Sequence, residues 1–268
     1  MFPGAVSDPD AGDYVVVGAP LDASTTFEPG TRFGPRRVRH YAESFEDYDQ
    51  HTGRHFTDLS VGDHGDVGPT DDVGSYLTFL RGTLADYADD GATPLLVGGE
   101  HTVSVAGVRA LDPAVFVCLD AHLDLRTDYA GNELSHATVT RHALDVADRA
   151  VVLGARSGCA AEWDRAGEAD VTVVEPEDVA DWEPTFDDER VYCSVDIDAA
   201  DPGYAPGTGT KEPFGLSPRE LRAVVRAVAP HTVGFDVVEV NDRDDGQAAV
   251  LAAKLLREFV FAHADHRL

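Results

Sequence analysis

Four short clusters of histidine and carboxylate residues carry the chemistry this chain offers. They are His101 after Gly98-Gly99-Glu100, Asp120-Ala121-His122-Leu123-Asp124, Asp196-Ile197-Asp198, and Asp236-Val237-Val238-Glu239. Each follows an apolar run of strand character. In an open parallel sheet, ligands bind beyond the carboxyl ends of the strands. If the four strands are neighbours, the clusters share one rim. Carboxylates crowded at such a rim repel one another and are costly to bury, and divalent cations remove that cost. Asp120-x-His122-x-Asp124 has the period of two that sets side chains on one side as a strand runs out, and Asp196-x-Asp198 has the same spacing. Four carboxylates and two imidazoles without a thiolate suit two metal ions about 3.5–4 Å apart. The set favours manganese over a structural zinc site. Taken singly, each cluster has an ordinary explanation: a loop cap, a tight turn, a histidine opening a helix. Their recurrence at successive strand ends is what points to a metal centre.

The elements that must position these residues are legible as alternating strands and helices, the pattern of a parallel sheet covered on both faces. Strand-like runs are Tyr14–Val17, a weaker one near Leu59–Val61, Pro94–Val97, Val115–Leu119, Ala150–Leu153, Val171–Val174, Val191–Val195 and Thr232–Phe235. Helices are expected at Gly34–Tyr41, Asp72–Asp89, His101–Ala110, Ala137–Asp148, Ser217–Val228 and Gly246–His263. Ser217-Pro218-Arg219-Glu220 combines a capping serine, proline at the first helical position and glutamate at the third. The loop Asp198–Phe214 is long enough to be functional. Without a linker, repeat or low-complexity segment, residues 1–268 read as one domain.

The composition narrows the function further. With 49 acidic and 21 basic residues, the formal net charge is −28, and Lys211 and Lys254 are the only lysines. Phosphate backbones need a basic footprint, so nucleic acid is excluded as a partner. No apolar stretch of about 18 residues suggests a membrane span. The N-terminal residues lack a signal peptide's basic start and apolar run, which points to the cytoplasm. Cys118 and Cys193 lie in apolar runs and read as small core residues. The acids are spread along the chain, so a halophilic surface explains the charge better than a funnel for a cationic substrate, although steering can accompany it. Activity and structure are therefore expected to be lost in low salt, and full thermal stability in dilute buffer would count against that reading.

These motifs, with Gly18-Ala19-Pro20-Leu21-Asp22, Pro29–Pro35, Asp201-Pro202, Gly207–Thr210 and Ala252–Leu256, resemble the ureohydrolase family of arginases and agmatinases over most of the chain, with archaeal agmatinases the most similar. The resemblance implies a three-layer α/β/α fold around an eight-stranded, mainly parallel sheet, with two manganese ions per subunit. By motif position, His101, Asp120, Asp124 and Asp196 hold one ion, and His122, Asp120, Asp196 and Asp198 hold the other. It also implies that Asp124 moves a proton, that Glu239 pairs with a guanidinium, and that His136 in Asn132–His136 is a proton shuttle. A surface histidine capping the next helix is the plainer explanation of His136. The chain departs from the family pattern at Ala137, where many members have glycine, and at Asp242, where proline is usual.

The implied reaction releases urea from a small cationic guanidino substrate. Between the Asp-x-His-x-Asp motif and His136, Arg126 has the charge to meet a substrate carboxylate, which keeps arginine open. Asp128 and Glu133 suit a positive or neutral tail better, so agmatine, giving putrescine and urea, is the favoured substrate. A larger agmatine-derived conjugate is also compatible. A zinc-dependent deacylase of related fold and a non-catalytic metal-binding protein are the readings from other classes. Relatives of this kind form trimers or hexamers, so a homo-oligomer is expected, and Leu255–Phe261 could serve either core or interface.

Overall fold

The computed structural model describes residues 1–68 and 70–267. The strands are β1 (Tyr14–Ala19), a two-residue hairpin pair β2 (Tyr48–Asp49) and β3 (Arg54–His55), β4 (Val61–Asp66), β5 (Thr93–Gly98), β6 (Val115–Leu119), β7 (Arg149–Leu153), β8 (Val171–Val174), β9 (Val191–Asp196) and β10 (Thr232–Val238). The helices are α1 (Gly34–Ala42), α2 (Val73–Asp89), α3 (Ser104–Leu111), α4 (Val139–Ala143), α5 (Ala160–Ala166), α6 (Pro218–Val228) and α7 (Gln247–His266). Eight strands form one sheet in the order β4-β1-β5-β10-β9-β6-β7-β8, and every pairing is parallel.

Alternation along the strands builds the layers. Val16, Leu95, Val97, Val117, Cys193 and Phe235 pack with Val38 of α1, with Leu221, Val224, Val225 and Val228 of α6, and with the apolar stripe of α7. Residues of the opposite parity, such as Val15, Leu96 and Phe116, pack under α2, α3 and α4. Leu221, Val224, Val225 and Val228 are spaced as one helical face, and Ser217 and Glu220 close the capping box at its start. Leu255, Leu256, Phe259, Val260 and Phe261 are buried in the core, which answers whether that segment serves core or interface. Among the described residues, no helix is long and apolar enough to cross a membrane.

The structure corrects several boundaries. The weak strand begins at Val61 and runs through Gly62-Asp63-His64-Gly65-Asp66 on the sheet edge, where His64 and Asp66 are exposed while the Asp63 side chain is buried. Arg39 from α1 supports it by pairing with Asp63 at 2.8 Å and with Asp66. The expected helix His101–Ala110 opens as a 3-10 turn, His101–Val103, before α3. The twelve-residue helix expected at Ala137–Asp148 is a 3-10 turn, His136–Thr138, and a five-residue α4, because the chain must turn back into β7 at Arg149. Helix α5 had no apolar periodicity to announce it. The Cys159 thiol and the Glu162 carboxylate cap its start.

Gly99 fixes where β5 meets the loop after β1. A Cβ there would collide with the backbone oxygen of Leu21 and stand 2.7 Å from its nitrogen. Backbone cannot swing aside as a long side chain can, so Gly99→Ala is expected to destabilise the fold by about 3 kcal/mol. A thermal melt checks this, and an unchanged midpoint would show that the loop yields.

Candidate metal centre and substrate pocket

The strands carrying the four clusters, β5, β10, β9 and β6, are consecutive in the middle of the sheet, so their carboxyl ends converge. Beyond them lies a pocket of about 430 Å³ whose lining includes His101, His122, Asp124, His136, Asp196, Asp198 and Glu239. Asp120 is buried at its floor, with 1% of its surface exposed. The candidate ligands, His136 and Glu239 are thus at one site, whereas Asp236 lies within β10 and accepts from Tyr192 and Ser194.

The turns that bring them together differ from a continued strand. Asp196 is the last residue of β9, and Asp198 lies in the 3-10 turn Ile197–Ala199, drawn back because its N–H donates to Asp196 Oδ1 at 2.9 Å. After β6, the His122 N–H donates to Asp120 Oδ1 at 2.7 Å, and the Ala121 N–H donates to Asp198 Oδ1 at 3.1 Å. Asp124 and Glu239 both adopt left-handed backbone conformations, with φ of 52° and 62°. Non-glycine residues take such angles at a cost that persists where the surroundings over-determine them, as in functional sites.

Hydrogen-bond accounting shows what His101 faces. The Ser194 hydroxyl donates its one proton to Asp236 Oδ1 at 2.6 Å, and Tyr192 donates to the other oxygen at 2.7 Å. Ser194 Oγ lies 3.1 Å from His101 Nε2, so it accepts there and the ring proton sits on Nε2. His101 Nδ1 then faces Asp124 Oδ2 at 2.9 Å, Asp120 Oδ2 at 3.1 Å and Asp196 Oδ2 at 3.6 Å. It is buried and has no hydrogen-bond partner of acceptable geometry. Three carboxylate oxygens crowded on one buried ring nitrogen call for positive charge among them, which a cation held by the neutral ring supplies. The second imidazole repeats the pattern: His122 Nδ1 is 3.1 Å from Asp198 Oδ2 and 3.5 Å from Asp120 Oδ1.

The protonation equilibria of the bare protein show the same conflict. Burial and the Asp120 charge push Asp124 up to about 7. Burial and the Asp198 and Asp120 charges raise Asp196 well above the usual carboxylate range. Glu239 is raised mainly by burial. Such a donor set fits divalent cations. Cys118 Sγ lies 3.7 Å from Asp120 Oδ2, close enough to count among possible donors. Burial holds this thiol well above its usual pKa, so it stays a protonated core residue.

His136 is no surface cap. It lines the pocket in the turn before α4, with Thr26 Oγ1 at 3.4 Å from its Nε2 and Ser24 Oγ at 3.2 Å from its Nδ1. Ser24 donates its proton to Glu100 Oε1 at 2.9 Å and so accepts from His136 Nδ1–H, leaving Nε2 unprotonated. Burial lowers the pKa of His136, so it is neutral near pH 7. Glu100 anchors the segment by accepting the Ala23 and Ser24 N–H groups, each at 2.6 Å.

The tail end of the pocket differs from the sequence expectation. Neither Asp128 nor Glu133 lines it; the carboxylates there are Glu162 and Glu212. Arg126 lines it too, but is engaged by Glu162 at 3.2 Å and lies over the Tyr129 ring at 5.2 Å. Glu212 falls in the long loop the sequence marked as functional. No motif in that loop distinguished it.

The model of the arginase family matches residues 12–262. This chain belongs to the arginase family. The family depends on a binuclear metal centre, and its ureohydrolases cleave C–N bonds of linear amidines, so the chain is a hydrolase of that class. Among arginase-family relatives, it is 34% identical to the N(1)-aminopropylagmatine ureohydrolase of Thermococcus kodakarensis, over 93% of this chain and 90% of that one. It is 35% identical to the agmatinase of Bacillus subtilis, over 92% and 91%. The solved agmatine ureohydrolase of Thermoplasma volcanium superposes with a TM-score of 0.92 at 32% identity, covering 99% of this chain and 94% of that one. The three-layer fold expected from the resemblance is the family's fold.

Proposed function

We propose that this enzyme hydrolyses agmatine to putrescine and urea with two manganese ions per subunit, acting as a homo-oligomer. The observation that carries the reading is His101 Nδ1, a buried nitrogen with no hydrogen-bond partner of acceptable geometry among three carboxylate oxygens. His101, Asp120, Asp124 and Asp196 would hold one ion, and His122, Asp120, Asp196 and Asp198 the other. Oxygen-rich ligation with two imidazoles supports manganese. When bound, the ions supply the lowered water pKa that provides a nucleophile near neutral pH.

The remaining work belongs to side chains. Glu239, fixed by the His101 N–H at 2.7 Å, holds the planar guanidinium through its second oxygen. Asp124 takes the proton of the attacking water. His136 carries a proton on Nδ1 and an acceptor at Nε2, and so relays a proton toward the departing amine. Ser24→Ala would release His136 from its tautomer and lower kcat about tenfold. A pH–rate profile whose limb stays in place in that variant would overturn the assignment.

The T. kodakarensis relative favours one second reading, an aminopropyl-extended agmatine, for which a pocket of about 430 Å³ has room. Urea release in high salt from the manganese-loaded protein, offered agmatine, arginine and aminopropylagmatine in parallel, tests both. Release from agmatine is the expected result. Release from arginine alone would overturn the proposal, and a strong preference for the extended substrate would replace it.

A further inference from the structure

The pocket contains two carboxylates that neither the candidate metal centre nor the hydrolytic step uses, Glu162 and Glu212. Glu162 is saturated: it accepts the Leu125 N–H at 3.3 Å and the Cys159 N–H at 2.9 Å, and it pairs with Arg126. Asp124, Asp196 and Asp198 belong to the centre itself, and Glu239 to the guanidinium. Glu212 remains. Its Oε1 accepts from Ser157 Oγ at 3.1 Å and lies 3.7 Å from His122 Nε2, and its Oε2 has no hydrogen-bond partner among the described residues. His122 turns Nδ1 to Asp198 and Nε2 to Glu212, which places Glu212 across the imidazole from the candidate metal centre.

The loop that carries Glu212 is held in place. Arg156 donates to the Glu212 carbonyl at 2.7 Å and also to the carbonyls of Gly154, Asp198 and Ala199. Next to Glu212, Lys211 is bound to Glu28 at 2.6 Å. Both cations are thereby occupied, as is Arg126. Among the described residues lining the pocket, no arginine or lysine is left to receive an anionic substrate tail.

We infer that Glu212 selects the substrate by accepting the ammonium at the far end of its aliphatic chain, and that the absence of a free cation beside it disfavours tails ending in a carboxylate. The inference rests on the guanidino reading above and adds the chemistry of the tail. A half-exposed carboxylate with an unused oxygen makes a charge-assisted hydrogen bond to an ammonium, whereas a methyl terminus gains nothing from it.

The test compares agmatine with n-butylguanidine, the same chain without the amine, on wild type and Glu212→Gln. Urea release and calorimetric binding to the manganese-loaded protein are both measured. Wild type should prefer agmatine, and Glu212→Gln should reduce that preference about tenfold in both readouts. An unchanged preference overturns the inference. Equal weakening of both compounds, with loss of metal, also overturns it, because Glu212 would then only brace His122. If neither compound is hydrolysed but the tenfold change in binding preference persists, the proposed reaction fails while the role of Glu212 stands.

Discussion

Asp120→Ala is expected to lower urea production on the order of a thousandfold or more and to reduce bound manganese below two ions per chain. Asp120 is, with Asp196, one of the two carboxylates both candidate ligand sets share. Its Oδ2 is 3.1 Å from His101 Nδ1, and its Oδ1 accepts the His122 N–H and lies 3.5 Å from that ring. Losing it removes a ligand from each ion and releases the turn that aims His122. Asp128→Ala, on the exposed loop outside the pocket, is the matched control for removing one negative charge. Atomic absorption on both variants separates metal loss from a purely kinetic defect. Undiminished urea production by Asp120→Ala would sink the two-metal reading.

Removing the metals should destabilise the protein, and more so as the pH rises. Without cations, burial and then neighbouring charge raise Asp124 to about 7 and raise Asp196 well above its usual range; Glu239 is raised mainly by burial. A carboxyl with a raised folded pKa keeps its proton in the fold at pH values where the unfolded chain, near 4, has lost it. Its contribution is complete below that unfolded value and is lost as pH climbs through the folded one, here between about 4 and 7. His101 and His122 act in the same direction at higher pH. Burial lowers both, but the surrounding negative groups win and hold them above the ordinary histidine range, so their contribution also declines as pH rises past about 6.5. Asp120 moves the other way: burial raises it, hydrogen bonds and charge from the two histidines outweigh that, and its contribution fails only in acid below this window. Metal binding uses carboxylates and neutral imidazoles, so it strengthens as protons leave. The fall in melting temperature caused by a chelator, measured at one high salt concentration, should therefore be small at pH 5 and large at pH 8. A gap constant across that range would contradict the crowded-carboxylate account.

Much of the site was legible because its donors sit immediately after apolar strands. The hydrophobic runs end at Val97, Leu119, Val195 and Phe235, within three residues of the strand ends at 98, 119, 196 and 238, and parallel topology then fixes which rim they share. What periodicity could not convey was local geometry. The left-handed backbone at Asp124 and Glu239, and the turn that folds Asp198 back on Asp196 through its N–H, leave no mark in an apolar pattern. Helix α5 is seven residues long and capped by Cys159 and Glu162, too short for an amphipathic pattern to emerge. At the tail of the pocket, charge alone misled: Asp128 and Glu133 are near His136 in sequence yet outside the cavity, whereas Glu212 arrives from 76 residues beyond it.

The place of β10 in the sheet bears on how the enzyme is made. It is the last strand in the chain, yet it lies between β5 and β9 and is the strand through which the trio β4-β1-β5 joins the quartet β9-β6-β7-β8. His101 follows a strand of the trio, whereas Asp120, His122, Asp124, Asp196 and Asp198 follow strands of the quartet. A nascent chain that has not released Thr232–Val238 from the ribosome therefore keeps His101 on one half-sheet and the other candidate donors on the other. Assembly of the full candidate donor set then waits for the insertion of β10, which brings the halves into register.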